Sequence, residues 1–494
     1  MNQDHIIQKV FVEITVSNKQ KAYDIKDDIS SFLSMDVFPE IEKYIDALER
    51  KFPDRTLQIP KLELNLEIKN SALNTELKNM IIQHFKEELS GITEPVLSAE
   101  QETENSSKAH LVGNTEKMIR TFIYFLEHGS MPWWNPDKKG INFLEPTVFE
   151  TLISADRFPQ IIRSVLPRQK VRNRLIHQLP DVQLAQLCRV LLKDKKKEII
   201  PEPEVIRSIP GLSPPDRMMI WQILLTVVSG YSDPSKNSFQ EYLVQQIVKL
   251  IAAETLQAEA IRKNLKTIAK VFPFIKEKEI EKEITEILKI RQPDLMENAK
   301  SSSETIYKKE QSLFEKAVSE ERIPEEAIPD DGQYVQHAGL ILIHPFIKTF
   351  FEHCGLLDPR TQQLLDPELG SHLLHYIATG KTNAPEYDMV LEKFLCNIPA
   401  HQPISRHIKL SRKHKTEAKN VIESVRHNWS PMKNSSAALL QNEFFQRPGK
   451  LVVTDYDYIL TVERKTQDIL LDKLAWGIGL VKLPWKEKFV YVNW

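Results

Sequence analysis

The chain has 494 residues, 66 basic against 68 acidic, with 41% hydrophobic residues and a pI near 6.7. That length allows two to four domains with ample core, and the balanced charge argues against a dedicated nucleic-acid binder, which carries a basic patch or tail. No run reaches the ~20 apolar residues that span a bilayer, and Met-Asn-Gln-Asp-His lacks the basic-then-apolar start of a signal peptide.

In chain order, Val10, Val12, Ile14 and Val16 alternate with Phe11, Glu13 and Thr15, which predicts a strand. A helix with Ile25, Ile29, Phe32 and Leu33 on one side follows, then a second from Ile41 to Leu48. Leu57, Ile59, Leu62, Leu64, Leu66 and Ile68 alternate again, with a slip at Pro60 that suits an edge or bulge. A helix carrying Leu73, Leu77, Met80, Ile81 and Phe85 completes a βααβα order over residues 1–93. Residues 94–115 are polar and aperiodic and read as a linker.

Residues 116–297 read as helical, starting with Ile119, Phe122, Ile123 and Leu126. Gly129 suits a C-terminal cap, with Trp133 and Trp134 packing back on the preceding helix. Further helices are expected at Val182–Leu192, Met218–Val228 and Phe239–Ile251. Ile280, Ile284, Ile287 and Leu288 form one apolar seam among Lys and Glu. Residues 298–331 read as a second, charged linker. In residues 332–494, Pro345 suits a first helical turn, and Gly355 and Gly380 suit left-handed caps. Ala418, Val421, Ile422, Val425 and Trp429 line a long helix. Leu451–Val453 and Ile459–Val462 flank Asp455-Tyr456-Asp457 as a hairpin, and 478–483 and 489–494 supply two more strands. The fold class is mainly α, with α+β modules at both ends.

No catalytic constellation emerges. Gly380-Lys381-Thr382 fails as a phosphate loop because His375 stands where a second Gly is required. His372 and His375, at i and i+3, share a helical face, yet no HExxH surrounds them and they read as packing histidines. Ser435 and Ser436 have no GxSxG frame and make better helix N-caps. Cys188, Cys354 and Cys396 form no CxxC pair and read as reduced, buried thiols. No catalytic, cofactor or metal site is assigned.

A resemblance is carried by short stretches in fixed order: His337-Ala338-Gly339-Leu340, Pro345-Phe346, Leu373-Leu374-His375-Tyr376-Ile377-Ala378-Thr379-Gly380 and Lys393-Phe394-Leu395-Cys396. It continues through Trp429, Lys433-Asn434-Ser435-Ser436, Phe445-Gln446-Arg447-Pro448-Gly449, Asp468-Ile469-Leu470-Leu471-Asp472, Leu483-Pro484-Trp485 and Trp494. This pattern resembles the contractile injection system tape measure family. Phe125-Leu126-Glu127-His128-Gly129 with Pro132-Trp133-Trp134, and Ile6-Ile7-Gln8-Lys9, extend the likeness less specifically. Two positions depart from it: Asn397 stands where Gly is expected, and Ala475 where Pro is expected.

The resemblance implies a structural, non-enzymatic protein of a phage-tail-like particle that sets inner-tube length. Its implied partners are tube, spike or hub, and baseplate components, with no nucleic acid and no membrane insertion. It would be cytoplasmic during assembly, or carried inside the particle. Trp429, Phe445, Arg447, Trp476, Trp485 and Trp494 are the expected partner contacts, because large aromatics and Arg dominate interface energetics. Two rivals are a baseplate-assembly scaffold or chaperone that measures nothing and, more remotely, a His-site metalloenzyme. One unbroken helix over residues 94–329 would reach ~350 Å at ~1.5 Å per residue, but the prolines through that stretch forbid such a rod. The free chain is therefore expected to be compact.

Overall fold

A computed structural model describes residues 6–16, 18–50, 55–59, 61–67, 73–98, 110–134, 142–192, 213–231, 239–254, 258–272, 275–282, 284 and 332–494. The chain divides into two units, Met1–Thr121 and Phe122–Trp494. It is mainly helical, with a small sheet near the C-terminus. Among the described residues no helix is long and apolar enough to cross a membrane.

In the first unit, the Asn18 side chain caps α1 (Lys19–Phe32) by accepting from Gln20 N–H. A π-helical turn at Leu33–Val37 leads into α2 (Phe38–Glu49), which has Pro39 in its first turn, where the missing N–H costs nothing. Phe32, Val37 and Ile41 pack with Leu77 of α3 (Thr75–Ser98). β1 (Arg55–Gln58) pairs antiparallel with β2 (His110–Gly113). Two expectations change here. Residues 10–16 form no strand, and Val10, Phe11, Val12 and Ile14 are exposed, because no described strand or helix covers them. The second alternating run is a strand only at Arg55–Gln58, while residues 61–67 join no ladder. The partner of β1 comes from the stretch read as a linker, half of which lies outside the described residues.

α4 (Asn114–His128) ends at Gly129, whose φ of +79° is the left-handed cap expected. Trp134 packs back edge-on against Tyr124 of that helix, with centroids 5.4 Å apart. Short helices follow: α5 (Pro146–Ile153), α6 (Phe158–Val165), α7 (Gln169–Gln178), α8 (Asp181–Leu192), α9 (Pro214–Gly230), α10 (Phe239–Glu254) and α11 (Ala258–Val271). Proline occupies the first turn of α5, α6 and α9, so the residues that forbid a rod also start the separate helices. Ser213 and Asp216 close a capping box on α9. Ile280 and Ile284 of the seam are buried; Ile287, Leu288 and the charged linker lie outside the described residues.

The C-terminal part begins with β3 (Gln333–Val335) and a 3-10 helix, Ala338–Ile343, buried throughout. α12 (His344–Cys354) and α13 (Pro367–Thr379) end at Gly355 and Gly380, both left-handed as expected. α14 (Val390–Leu395) and α15 (Arg412–Asn428) pack on them. Ser436 caps α16 (Ala437–Leu440), accepting from Leu439 N–H, and the chain turns through a π-helical Gln441–Phe445. β4 (Gly449–Val453), β5 (Tyr458–Val462), β6 (Leu480–Val481) and β7 (Val490–Asn493) join β3 in the order β3-β4-β5-β7-β6. All neighbours are antiparallel except β5 and β7. One apolar core runs from Val335 to Val492. β3 went unread because three residues are too few to show alternation.

Candidate functional site

Three buried polar networks organise the second unit. The first joins the central helices to the C-terminal part. Arg174 on α7 is fully buried and grips Glu386 with both arms of its guanidinium, Nε to Oε2 at 3.0 Å and Nη2 to Oε1 at 3.3 Å. This bidentate geometry is the strong form of the pair. Lys393 on α14 donates to Glu386 Oε1 at 2.6 Å and to the carbonyls of Ala400 and Gln402. Burial draws the Lys393 ammonium down, and the Glu386 carboxylate opposes that. Arg174 also donates to the carbonyls of Leu126 and His401. The Glu386 N–H donates to Gln178 Oε1, and Gln178 donates to the Ile404 carbonyl. A Cβ at Gly129 would fall 2.5 Å from the Ala400 carbonyl and 2.6 Å from Glu386 Oε1. Glycine there is required twice, by φ and by this close approach.

The second network lies inside the C-terminal core. His337 Nδ1 and His375 Nδ1 both meet Glu392 Oε1, at 2.7 and 3.1 Å. Burial alone pushes the Glu392 carboxyl up, but the two imidazoles outweigh it and hold the carboxyl at about 2. Burial draws His337 down while the Glu392 charge and hydrogen bond raise it, and the net direction is up. The helical-face pair of His372 and His375 does not act together. His372 turns to the Ser405 carbonyl, Nε2 to O at 2.7 Å, and burial lowers its imidazole to about 4.

The third network gathers residues from separate stretches of the resemblance. Arg447 is fully buried and bonds Asp468 through both Nη atoms, and Trp494 Nε1 donates to Asp468 Oδ2 at 3.1 Å. Arg447 Nε donates to the Glu443 carbonyl, and Arg464 donates to the Trp494 carbonyl. Asn397, the departure from Gly, has φ +58° and donates to the Trp485 carbonyl at 2.6 Å. The position requires the left-handed region, which Asn tolerates best after Gly.

The six expected contact residues divide accordingly. Trp429, Phe445, Arg447 and Trp485 are interior, so in this fold their area is already covered by their own chain. Trp429 Nε1 donates to the Leu470 carbonyl and Trp485 Nε1 to the Leu395 carbonyl, leaving neither indole free for a partner. Trp476 and Trp494 are half-buried and keep part of their rings open. Lys381 is exposed beside a plain helix cap. Cys188, Cys354 and Cys396 are buried free thiols, and burial pushes Cys188 up to about 12 and Cys354 to about 11. Sequence reasoning missed Arg174, Glu386 and Glu392, since nothing local distinguishes a charged residue whose partner is remote in sequence.

Interlocked structural networks dominate this unit, and comparison with known proteins agrees with a structural role. The family model for the contractile injection system tape measure protein matches residues 4–494, and the chain belongs to that family. No curated protein and no solved structure matches the chain.

Proposed function

We propose that the chain lies in the lumen of a growing injection tube, that its span sets tube length, and that its ends hold tip and baseplate components. The observation that carries this reading is family membership over nearly the whole chain. The longest described helix between residues 129 and 331 is α9, with 17 residues, or ~25 Å at ~1.5 Å per residue. Ruler action therefore requires the central helices to be drawn out during assembly. The buried Arg174–Glu386–Lys393 network is what such extension has to open. Trp476 and Trp494 are the contact residues with surface to offer in the folded state; Trp429, Phe445, Arg447 and Trp485 become available only when the core opens.

Deleting residues 236–290 and imaging the particles tests the reading. Shortened tubes support it, and tubes of unchanged length sink it. Loss of particles without shortening favours an assembly scaffold instead. Small-angle scattering on the free chain checks compactness, which a rod-like profile would refute.

A further inference from the structure

We infer that His337, His375 and Glu392 form a binding site for one divalent transition-metal ion of the zinc class, a structural clip inside the C-terminal core. His337 precedes the buried 3-10 helix, His375 sits on α13 and Glu392 on α14, so a bound ion would tie three separate segments. One ligand atom from each residue lies within 4.8 Å of the others. The imidazoles face each other with centroids 5.1 Å apart and planes at 64°. Two imidazole nitrogens and a carboxylate are a donor set that suits zinc, with three protein ligands and one further position.

The second observation is an orphaned oxygen. Glu392 Oε2 is buried and has no hydrogen-bond partner. A buried anionic oxygen without a partner is costly and points to a missing cation or water. The neighbouring cation cannot serve, because Lys393 Nζ is engaged by Glu386, Ala400 and Gln402. A dication would meet the Glu392 carboxylate with both histidines neutral, as a metal ligand requires.

The geometry needs little change. Tetrahedral ligands at ~2.0–2.2 Å from an ion sit about 3.3 Å from one another, against 2.7 and 3.1 Å here. Separating the donors by a few tenths of an ångström admits the ion. Because the site is enclosed, the ion would enter as the core closes and leave slowly.

The test uses the untagged full chain, stripped with a chelator in urea, dialysed free of metal in urea, and refolded with the metal present so that the ion can enter as the core closes. Zn2+ is the metal in one sample, and bound metal is counted by mass spectrometry. Co2+ is the metal in a parallel sample, and its visible absorption is recorded. The expected results are one equivalent of Zn2+ per chain, a raised melting temperature, and cobalt bands of tetrahedral N/O coordination. His375→Ala should weaken binding more than about 100-fold, beyond the 10–100-fold cost of losing a supporting residue, while His372→Ala should bind as the parent does. If His375→Ala fails to fold, Glu392→Gln, which keeps shape and hydrogen bonding, replaces it with the same expected loss. The inference is overturned if parent protein refolded with the metal takes up no Zn2+ and shows no tetrahedral cobalt spectrum, or if His375→Ala or Glu392→Gln refolded in the same way binds as tightly as the parent.

Discussion

The first unit and the C-terminal part of the second are built from similar apolar fractions but use them differently. In residues 6–121, small clusters such as Phe32, Val37, Ile41 and Leu77 hold the helices together, while Phe11 is 80% and Met35 76% exposed. In residues 332–494, one continuous core encloses ionic groups that have lost almost all contact with water. Burying Arg447 or Glu392 is tolerable only where every surrounding element is fixed in place. The C-terminal part encloses its apolar residues in one core, whereas the N-terminal segment has exposed apolar side chains such as Phe11 and Met35.

That contrast can be broken most sharply at Glu386. Glu386→Ala leaves Arg174 and Lys393 buried without their shared carboxylate, which should cost about 3–5 kcal/mol. All seven tryptophans lie at residue 133 or beyond, so fluorescence-detected urea unfolding reads the second unit alone. In the first unit, Arg120→Ala removes only a partly exposed i,i+4 pair with Glu116 and should cost under about 1 kcal/mol.

Acid sharpens the contrast next. His372 faces the Ser405 carbonyl, with His375, Glu392 and Asp366 nearby, and burial lowers it from 6.5 to about 4. Between those values the unfolded chain binds a proton that the folded chain refuses. Stability therefore falls as pH falls through that window, by about 2 kcal/mol from pH 7 to 5. His372→Gln should flatten that part of the profile, seen as urea midpoints that no longer separate at the two pH values.

Gly129→Ala meets both a left-handed φ and the Ala400 carbonyl, so it should destabilise by more than about 1 kcal/mol. The smallest effect belongs to the first unit. Met35→Ser, at an exposed site, should stay within about 0.5 kcal/mol by circular dichroism melts; a larger loss would show that Met35 is covered in the free chain.

Features with local causes were legible in the sequence. Gly129, Gly355 and Gly380 as caps, Ser436 as an N-cap and the hairpin around Tyr456 each depend on a few neighbouring residues. The β-strand expected at residues 10–16 failed because alternation describes a strand's faces and cannot supply its partner. The networks were illegible for a related reason. Arg174 and Glu386 are 212 positions apart, and His337 and Glu392 are 55 apart. The family pattern did single out Arg447, Asp468 and Trp494, but only the fold shows that they touch.

The sheet order has a consequence for how the protein is made. β7, residues 490–493, is inserted between β5 and β6 and is the sole parallel neighbour of β5. Until those residues have left the ribosome, β6 has no neighbour and the open side of β5 stays bare. Closure of the sheet must therefore follow synthesis of those residues. During that interval the nascent chain presents an unfinished edge that invites strands from other molecules, so cells making many copies at once would gain from a companion that shields it.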